Sequence, residues 1–280
     1  MPIVTKSTFD TFRLLEERLQ GSQRTFYTRF GDGDLYLLMG KSYRNHSYNE
    51  EIRAEMESSI LVDDPAYLKA MCVNYELDPR MEAGLFTLYP DNDEMADFLT
   101  EKYSPGRDWV FEHHFTFPYF AVFHPVEFNR FFDLHVRPER KLFVGGVEKS
   151  VAEKLFGEIH EYVRTPIRNA YSQIDEWWPE VLQKAEKVDL VIPTAGAASK
   201  IINKRLWEAG YPGHSIDVGA LIDWVDGRRS RKWIKLMGHR INNVLDAGSR
   251  DTSWRYQIYY GYRETYYSAR LLWKTLRGKR

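Results

Sequence analysis

The chain has 280 residues, 43% hydrophobic and 28% charged content and a net charge of -1. That is the composition of a globular protein long enough to bury about three quarters of its unfolded surface. The lone cysteine, Cys72, excludes an internal disulfide, no apolar run nears membrane-spanning length, and Met1 to Phe9 lacks a signal-peptide core, so a cytoplasmic location is expected.

Residues 7 to 20 predict a first helix, with Phe9, Phe12, Leu15 and Leu19 on one face and Gly21 at its end. Thr25 to Phe30 predicts a strand running into Gly31-Asp32-Gly33-Asp34, followed by a short helix from Leu35 to Met39 closed by Gly40. Gly31 and Gly33 read as a sharp turn, because glycine takes backbone conformations that a side chain forbids. In such a turn Asp32 and Asp34 converge on one point. Two convergent carboxylates suit Mg²⁺ or Mn²⁺, which would take substrate phosphate oxygens as further ligands. Arg29 is placed to meet a phosphate or one of the carboxylates. The competing reading makes Asp32 a helix cap. A second Asp-x-Asp, Asp91-Asn92-Asp93, reads as a cap: it follows Pro90, and Glu94 completes a capping box.

Residues 49 to 61 predict a helix, Leu68 to Val73 a buried strand and residues 91 to 103 the capped helix. His113 and His114 point apart on a strand or a helix and have no second ligand at fixed spacing, so they read as structural. Phe115 to Phe123, interrupted by Pro118, reads as core or as a cleft wall. From Lys141 the pattern becomes regular. Strands at Lys141 to Val144, Tyr162 to Thr165, Val188 to Ile192 and Ser215 to Val218 alternate with helices at about 147–160, 174–186 and 197–209. Strand, turn, helix, strand is the pattern of an α/β, Rossmann-like, mostly parallel sheet with flanking helices. Ligands in such sheets sit beyond the carboxyl ends of the strands, where the turns at Gly31, Gly145, Asn169, Gly196 and Gly219 would lie. The helix after Gly196, with Thr194 and Ser199 beside it, could hold a phosphate or ribose. No G-x-G-x-x-G and no Walker motif is present, which disfavours dinucleotide oxidoreductases and P-loop enzymes.

Arg29-Phe30-Gly31-Asp32-Gly33-Asp34 resembles Arg-Phe-Gly-Asp-Gly-Glu, the signature of the GT-D-fold glycosyltransferases, bacterial enzymes that use sugar nucleotides. The likeness is colinear over roughly residues 25 to 224. Pro118-Tyr119, Leu142 to Lys149, Arg168-Asn169-Ala170-Tyr171, Ala195-Gly196-Ala197-Ala198 and Asp217-Val218-Gly219 stand where that family has its later motifs. The resemblance implies a GT-D-type fold and metal-assisted transfer of a sugar from a nucleotide diphosphate to a glycan or glycoconjugate acceptor. It maps the metal and diphosphate site onto Asp32 and Asp34. Three departures stand out: Asp34 replaces Glu, Phe117 replaces Arg, and Ala220 stands where many members carry His.

The expected site therefore has Asp32 and Asp34 as metal ligands. Arg29, Gly31, Gly33, Asn169, Thr194 and Gly196 line the substrate, and Asp217 or Asp223 is the candidate base for the acceptor hydroxyl. A metal-dependent nucleotidyl- or phosphotransferase would use the same acidic pair, and a non-catalytic sugar-nucleotide binder or scaffold would need no chemistry at all. Residues 1 to 224 are expected to form the catalytic domain and 225 to 280 a basic, aromatic-rich helical extension. From Val225 onward fourteen Lys and Arg face four acids, Asp226, Asp246, Asp251 and Glu264. Tyr259, Tyr262, Tyr266, Ala269 and Trp273 recur at helical spacing, with Arg255, Arg263, Arg270, Lys274 and Arg277 mostly off that stripe. The first reading packs the stripe onto the catalytic domain; the second lays it on the inner face of an anionic membrane. No nucleic-acid partner is expected, and the sequence leaves room for a homo-oligomer.

Overall fold

The computed structural model describes residues 3–21, 23–43, 46–75, 85–86, 88, 90–103 and 110–276. Eight strands form one sheet: β1 (Val4–Thr5), β2 (Phe26–Phe30), β3 (Tyr67–Met71), β4 (Val110–His113), β5 (Lys141–Gly145), β6 (Glu161–Arg164), β7 (Leu190–Thr194) and β8 (His214–Ile216). Their order is β1-β4-β3-β2-β8-β7-β5-β6, and every pairing is parallel.

Side chains alternate between the two faces of a strand, and here both faces are covered. Tyr27, Phe143, Leu190 and Ile192 join one core cluster, while Phe26, Phe30, Leu142, Val144 and Val191 join the other. That double burial explains why the inner strands read as continuous apolar runs and not as alternating ones. On the first face the helix Thr8–Gln20 stacks Phe12 on Phe120 of the helix Thr116–Phe123, with ring centroids 3.8 Å apart. On the second face lie the helices Glu50–Ile60 and Ala198–Glu208.

Two strands escaped the sequence reading. β1 is two residues long. β4 carries Glu112, which is buried because Lys6 Nζ meets its Oε1 at 2.7 Å and Thr11 Oγ1 donates to its Oε2 at 3.2 Å. Tertiary partners neutralise a charge that made the segment look polar. Pro118 does not interrupt its segment. It sits in the first turn of Thr116–Phe123, where a missing N–H costs nothing.

The chain steps from β2 outward through β3 to β4 and then returns to the far side of β2 to lay down β5 to β8. The strand order therefore reverses beside β2 and β8, and a crevice opens beyond their carboxyl ends. The stretch after Val225 is part of the body: Trp233, Ile234, Met237 and Val244 belong to the same core cluster as Phe12 and Tyr27.

The long helix Trp254–Leu276 follows. Glu264 fixes it to the body through Arg240, whose Nη2 donates to Oε2 at 2.7 Å, and through His239, 2.9 Å from Oε1. The packing stripe expected from the sequence is not the one used. Tyr259, Tyr262, Tyr266 and Trp273 are 45–67% exposed, while the half-buried Tyr256, Tyr260, Arg263, Glu264 and Tyr267 face the body. Arg277, Lys279 and Arg280 lie outside the described residues.

Candidate active site

A cleft of about 340 Å³ opens at the carboxyl ends of β2, β7 and β8. β2 delivers Arg29 and then Gly31, which is the N-cap of the helix Asp32–Leu38. The expected sharp turn is thus the first turn of a helix. Gly31 has φ -90°, and neither Gly31 nor Gly33 takes a left-handed conformation. Asp32 and Asp34 occupy the first and third helical positions, and both residues are 7% exposed.

Their roles differ. Asp34 Oδ2 accepts the Gly31 N–H at 2.8 Å, the reciprocal half of a capping box, and also meets Lys200 Nζ at 3.0 Å. Capping, which the sequence reading tied to Asp32, belongs to Asp34. Among the described residues nothing hydrogen-bonds or ion-pairs with Asp32, which faces the cleft.

Lys200 comes from the first turn of Ala198–Glu208, the helix after β7. It is the main residue that the sequence reading missed. Lys200 is 5% exposed, and its ammonium lies between Asp34 and Asp217, 3.3 Å from Asp217 Oδ2. Burial would pull the ammonium down, but the two carboxylates outweigh it and hold Lys200 above its ordinary value. Asp217 is fully engaged: Oδ1 accepts the Gly219 N–H at 2.8 Å and lies 3.7 Å from Arg29 Nη1. Arg29 Nε in turn donates to the His114 carbonyl at 2.7 Å. Four charged groups, Arg29, Asp34, Lys200 and Asp217, from three parts of the chain thus form one buried network at the cleft floor.

Gly219 shows why a glycine is needed there. Its φ is +58°, and an added Cβ would stand 1.4 Å from Arg29 Nη1. Gly219→Ala is expected to displace the guanidinium and to lower stability by about 1–3 kcal/mol from the backbone strain alone. A thermal melt checks this, and an unchanged melting temperature would refute it.

Gly196, with φ +62°, turns the chain from β7 into Ala198–Glu208 and lies against the ring of His46, 2.6 Å from where its Cβ would be. Thr194 and Gly196 line the cleft, as expected, and so do Gly31 and Gly33. Asn169 does not. It lines a smaller adjoining cavity, and its Oδ1 accepts the Ser47 N–H at 2.9 Å, which fixes the loop that carries His46. Its neighbour Arg168 faces the cleft instead, together with Arg231. Neither forms an ion pair among the described residues. Asp223 sits at the rim, where Ser230 Oγ donates to its Oδ2 at 2.7 Å and Arg228 Nη2 lies 3.0 Å from its Oδ1.

His114 lines the cleft, and burial drives it well below the ordinary histidine range. His113 is pushed down to about 3, chiefly by burial, and its Nδ1 accepts the Phe115 N–H. Among the described residues no group of three His, Cys, Asp or Glu side chains is arranged to hold a metal. A divalent ion that brings its own phosphate and water ligands needs only one or two carboxylates. The unengaged Asp32 meets that need, and Asp34 can add its Oδ1 while Oδ2 stays with Lys200.

The model of the glycosyltransferase GT-D fold family matches residues 27–243. The fold is similar to that of a glycosyltransferase containing domain of unknown function 1792 from Streptococcus sanguinis, with TM-score 0.59 and 18% identity over 91% of this chain and 97% of that one. It is also similar to a solved domain of unknown function 1792 described as having a distinct glycosyltransferase fold, with TM-score 0.58 and 17% identity over 91% and 94% of the two chains. Among curated proteins none matches the chain. The matched span takes in all but the first residue of β2, the strands β3 to β8 and every cleft residue described above, and the chain belongs to the GT-D-fold glycosyltransferase family.

Proposed function

We propose that the cleft transfers a sugar from a nucleotide diphosphate-sugar to a glycan or glycoconjugate acceptor, with Mn²⁺ or Mg²⁺ bound at Asp32. The observation that carries this reading is the opposition of charges across one cleft. An unengaged buried carboxylate, Asp32, shares the cleft with Arg168, Arg231 and the start of the helix Ala198–Glu208. A diphosphate needs such positive groups and amide donors, and a cation-binding carboxylate beside them.

Arg168 and Arg231 receive the diphosphate oxygens, and the N–H groups at Gly196 to Ala198 complete the cradle. A divalent ion held by Asp32 and the Oδ1 of Asp34 would neutralise charge on the departing diphosphate. Arg29, Lys200 and Asp217 keep the floor rigid, so that its field is in place before charge develops. Asp217 is a positioning residue, since every contact it makes is internal to the floor. Asp223 is the base that takes the acceptor proton. Arg228 and Ser230 orient its carboxylate, and its place at the rim leaves it open to an incoming hydroxyl.

A panel of sugar nucleotides with and without Mn²⁺ tests the reading. One of them should raise the melting temperature, more so with metal, and be consumed in the presence of acceptor. Asp223→Asn should lower kcat by about 10²–10⁴-fold while leaving the donor KM unchanged. Stabilisation without turnover would favour a non-catalytic binder, and pyrophosphate release from a nucleoside triphosphate would favour a nucleotidyltransferase.

A further inference from the structure

We propose that the helix Trp254–Leu276 is an interfacial element that lies flat on an anionic lipid surface. The helix has two unlike faces. One is tied to the body through Tyr256, Tyr260, Glu264 and Tyr267. The other carries Trp254, Ile258, Tyr259, Tyr262, Tyr266, Leu272, Trp273 and Leu276, each 45–77% exposed. At 3.6 residues per turn these side chains cover an arc of roughly 140°. A contiguous apolar patch of that kind marks an interaction surface, whereas isolated exposed apolar residues do not.

The charges choose the partner. Glu264 is the helix's single acid, and Arg240 already neutralises it on the inner side, where His239 also meets it. Arg255 is exposed within the apolar arc, and Arg270 is exposed at its edge. The outward face therefore offers aromatic rings and positive charge with no free carboxylate. Trp and Tyr settle at the headgroup level, and basic residues gain from anionic lipid. The helix is not apolar enough to cross a membrane, which leaves the surface position. A second copy of the chain fits less well. Pairing the same face with itself would set arginines against arginines, and the arc is wider than the narrow seam of a two-helix contact. The placement stands apart from the transfer chemistry and needs no substrate to be tested.

Sedimentation of the full chain with vesicles of phosphatidylcholine alone, or of phosphatidylcholine with about one third phosphatidylglycerol, decides the matter. Partition should be at least about tenfold stronger with the anionic vesicles and should weaken in high salt. The double variant Arg255→Glu/Arg270→Glu should lose about tenfold or more of that partition. The triple variant Ile258→Ser/Tyr262→Ser/Leu272→Ser should lose binding with its melting temperature unchanged. If the triple variant unfolds, Tyr262→Ser alone should still weaken binding measurably. Equal partition to neutral and anionic vesicles, or parent-like binding by the charge-reversed variant, would overturn the proposal. So would a lipid-independent dimer that Tyr262→Ser dissociates, which would give this face to a second copy.

Discussion

Asp32→Asn is expected to lower sugar transfer by about 10²–10³-fold, the scale seen when one preorganised charge-stabilising group is removed, while the melting temperature stays at the parent value. The expectation rests on the contrast between the two neighbouring carboxylates. Asp34 holds the Gly31 N–H and the Lys200 ammonium, so it is tied into the fold. Asp32 is equally buried at 7% exposure but bonds to nothing among the described residues. A buried carboxylate without a partner is costly unless a ligand uses it. Removing its charge should therefore cost the protein nothing and the reaction a great deal. Asp34→Asn should instead lower both activity and melting temperature. Side-by-side melts and rates at saturating metal separate the two cases, and wild-type turnover by Asp32→Asn would remove the proposed cation site.

The second large effect is on stability. Lys200→Met should destabilise the fold by about 3–5 kcal/mol, because it leaves the carboxylates of Asp34 and Asp217 buried against each other with no cation between them. For a chain of this size that is a fall in melting temperature on the order of 10 °C. Pairing it with Asp34→Asn should restore part of the loss, since the two side chains touch and their effects are not additive. Independent, additive losses would show that the ammonium is not compensating the carboxylates. The pH dependence follows from the direction of the shift. Lys200 is held above its ordinary value in the fold, so its contribution is complete below the unfolded lysine value of about 10.4. It is lost only as pH rises through the folded value, and the network is intact at neutral pH.

The linear pattern of apolar runs and turns was enough to specify a parallel sheet and six of its eight strands. β2, β3, β5 and β7 are buried on both faces, and such strands cannot hide among polar residues. The signature around Arg29 to Asp34 also pointed to the cleft that the structure has there, at the carboxyl end of the strand next to the order reversal, where open sheets bind ligands. Spacing could not say which aspartate is free. Asp32 and Asp34 look alike in sequence, and only the return of Lys200 and Asp217 from β7 and β8 assigns one to the fold and leaves the other open. His46 and Arg231 escaped notice for the same reason, and Arg168 was seen only as part of a motif and not as a cleft residue. Each stands in a polar stretch with no periodic signal, and the cleft assembles them from distant loops.

The C-terminal helix divides in the same way. Its existence was legible from the three- and four-residue recurrence of aromatics. Periodicity shows that a helix has two faces but not which of them is covered. With aromatics almost all round, the choice fell to a few polar contacts, namely Glu264 with Arg240 and His239, and the Tyr256 hydroxyl with the His239 carbonyl. These turned Tyr256 and Tyr260 inward and left Tyr262 and Trp273 outside. The sequence by itself determined the sheet, the family signature and the helical character of the tail, because each depends on residues close together in the chain. Tertiary structure decided the ionic partners and the exposed face, because a charge or an aromatic ring is satisfied by whatever the fold brings beside it.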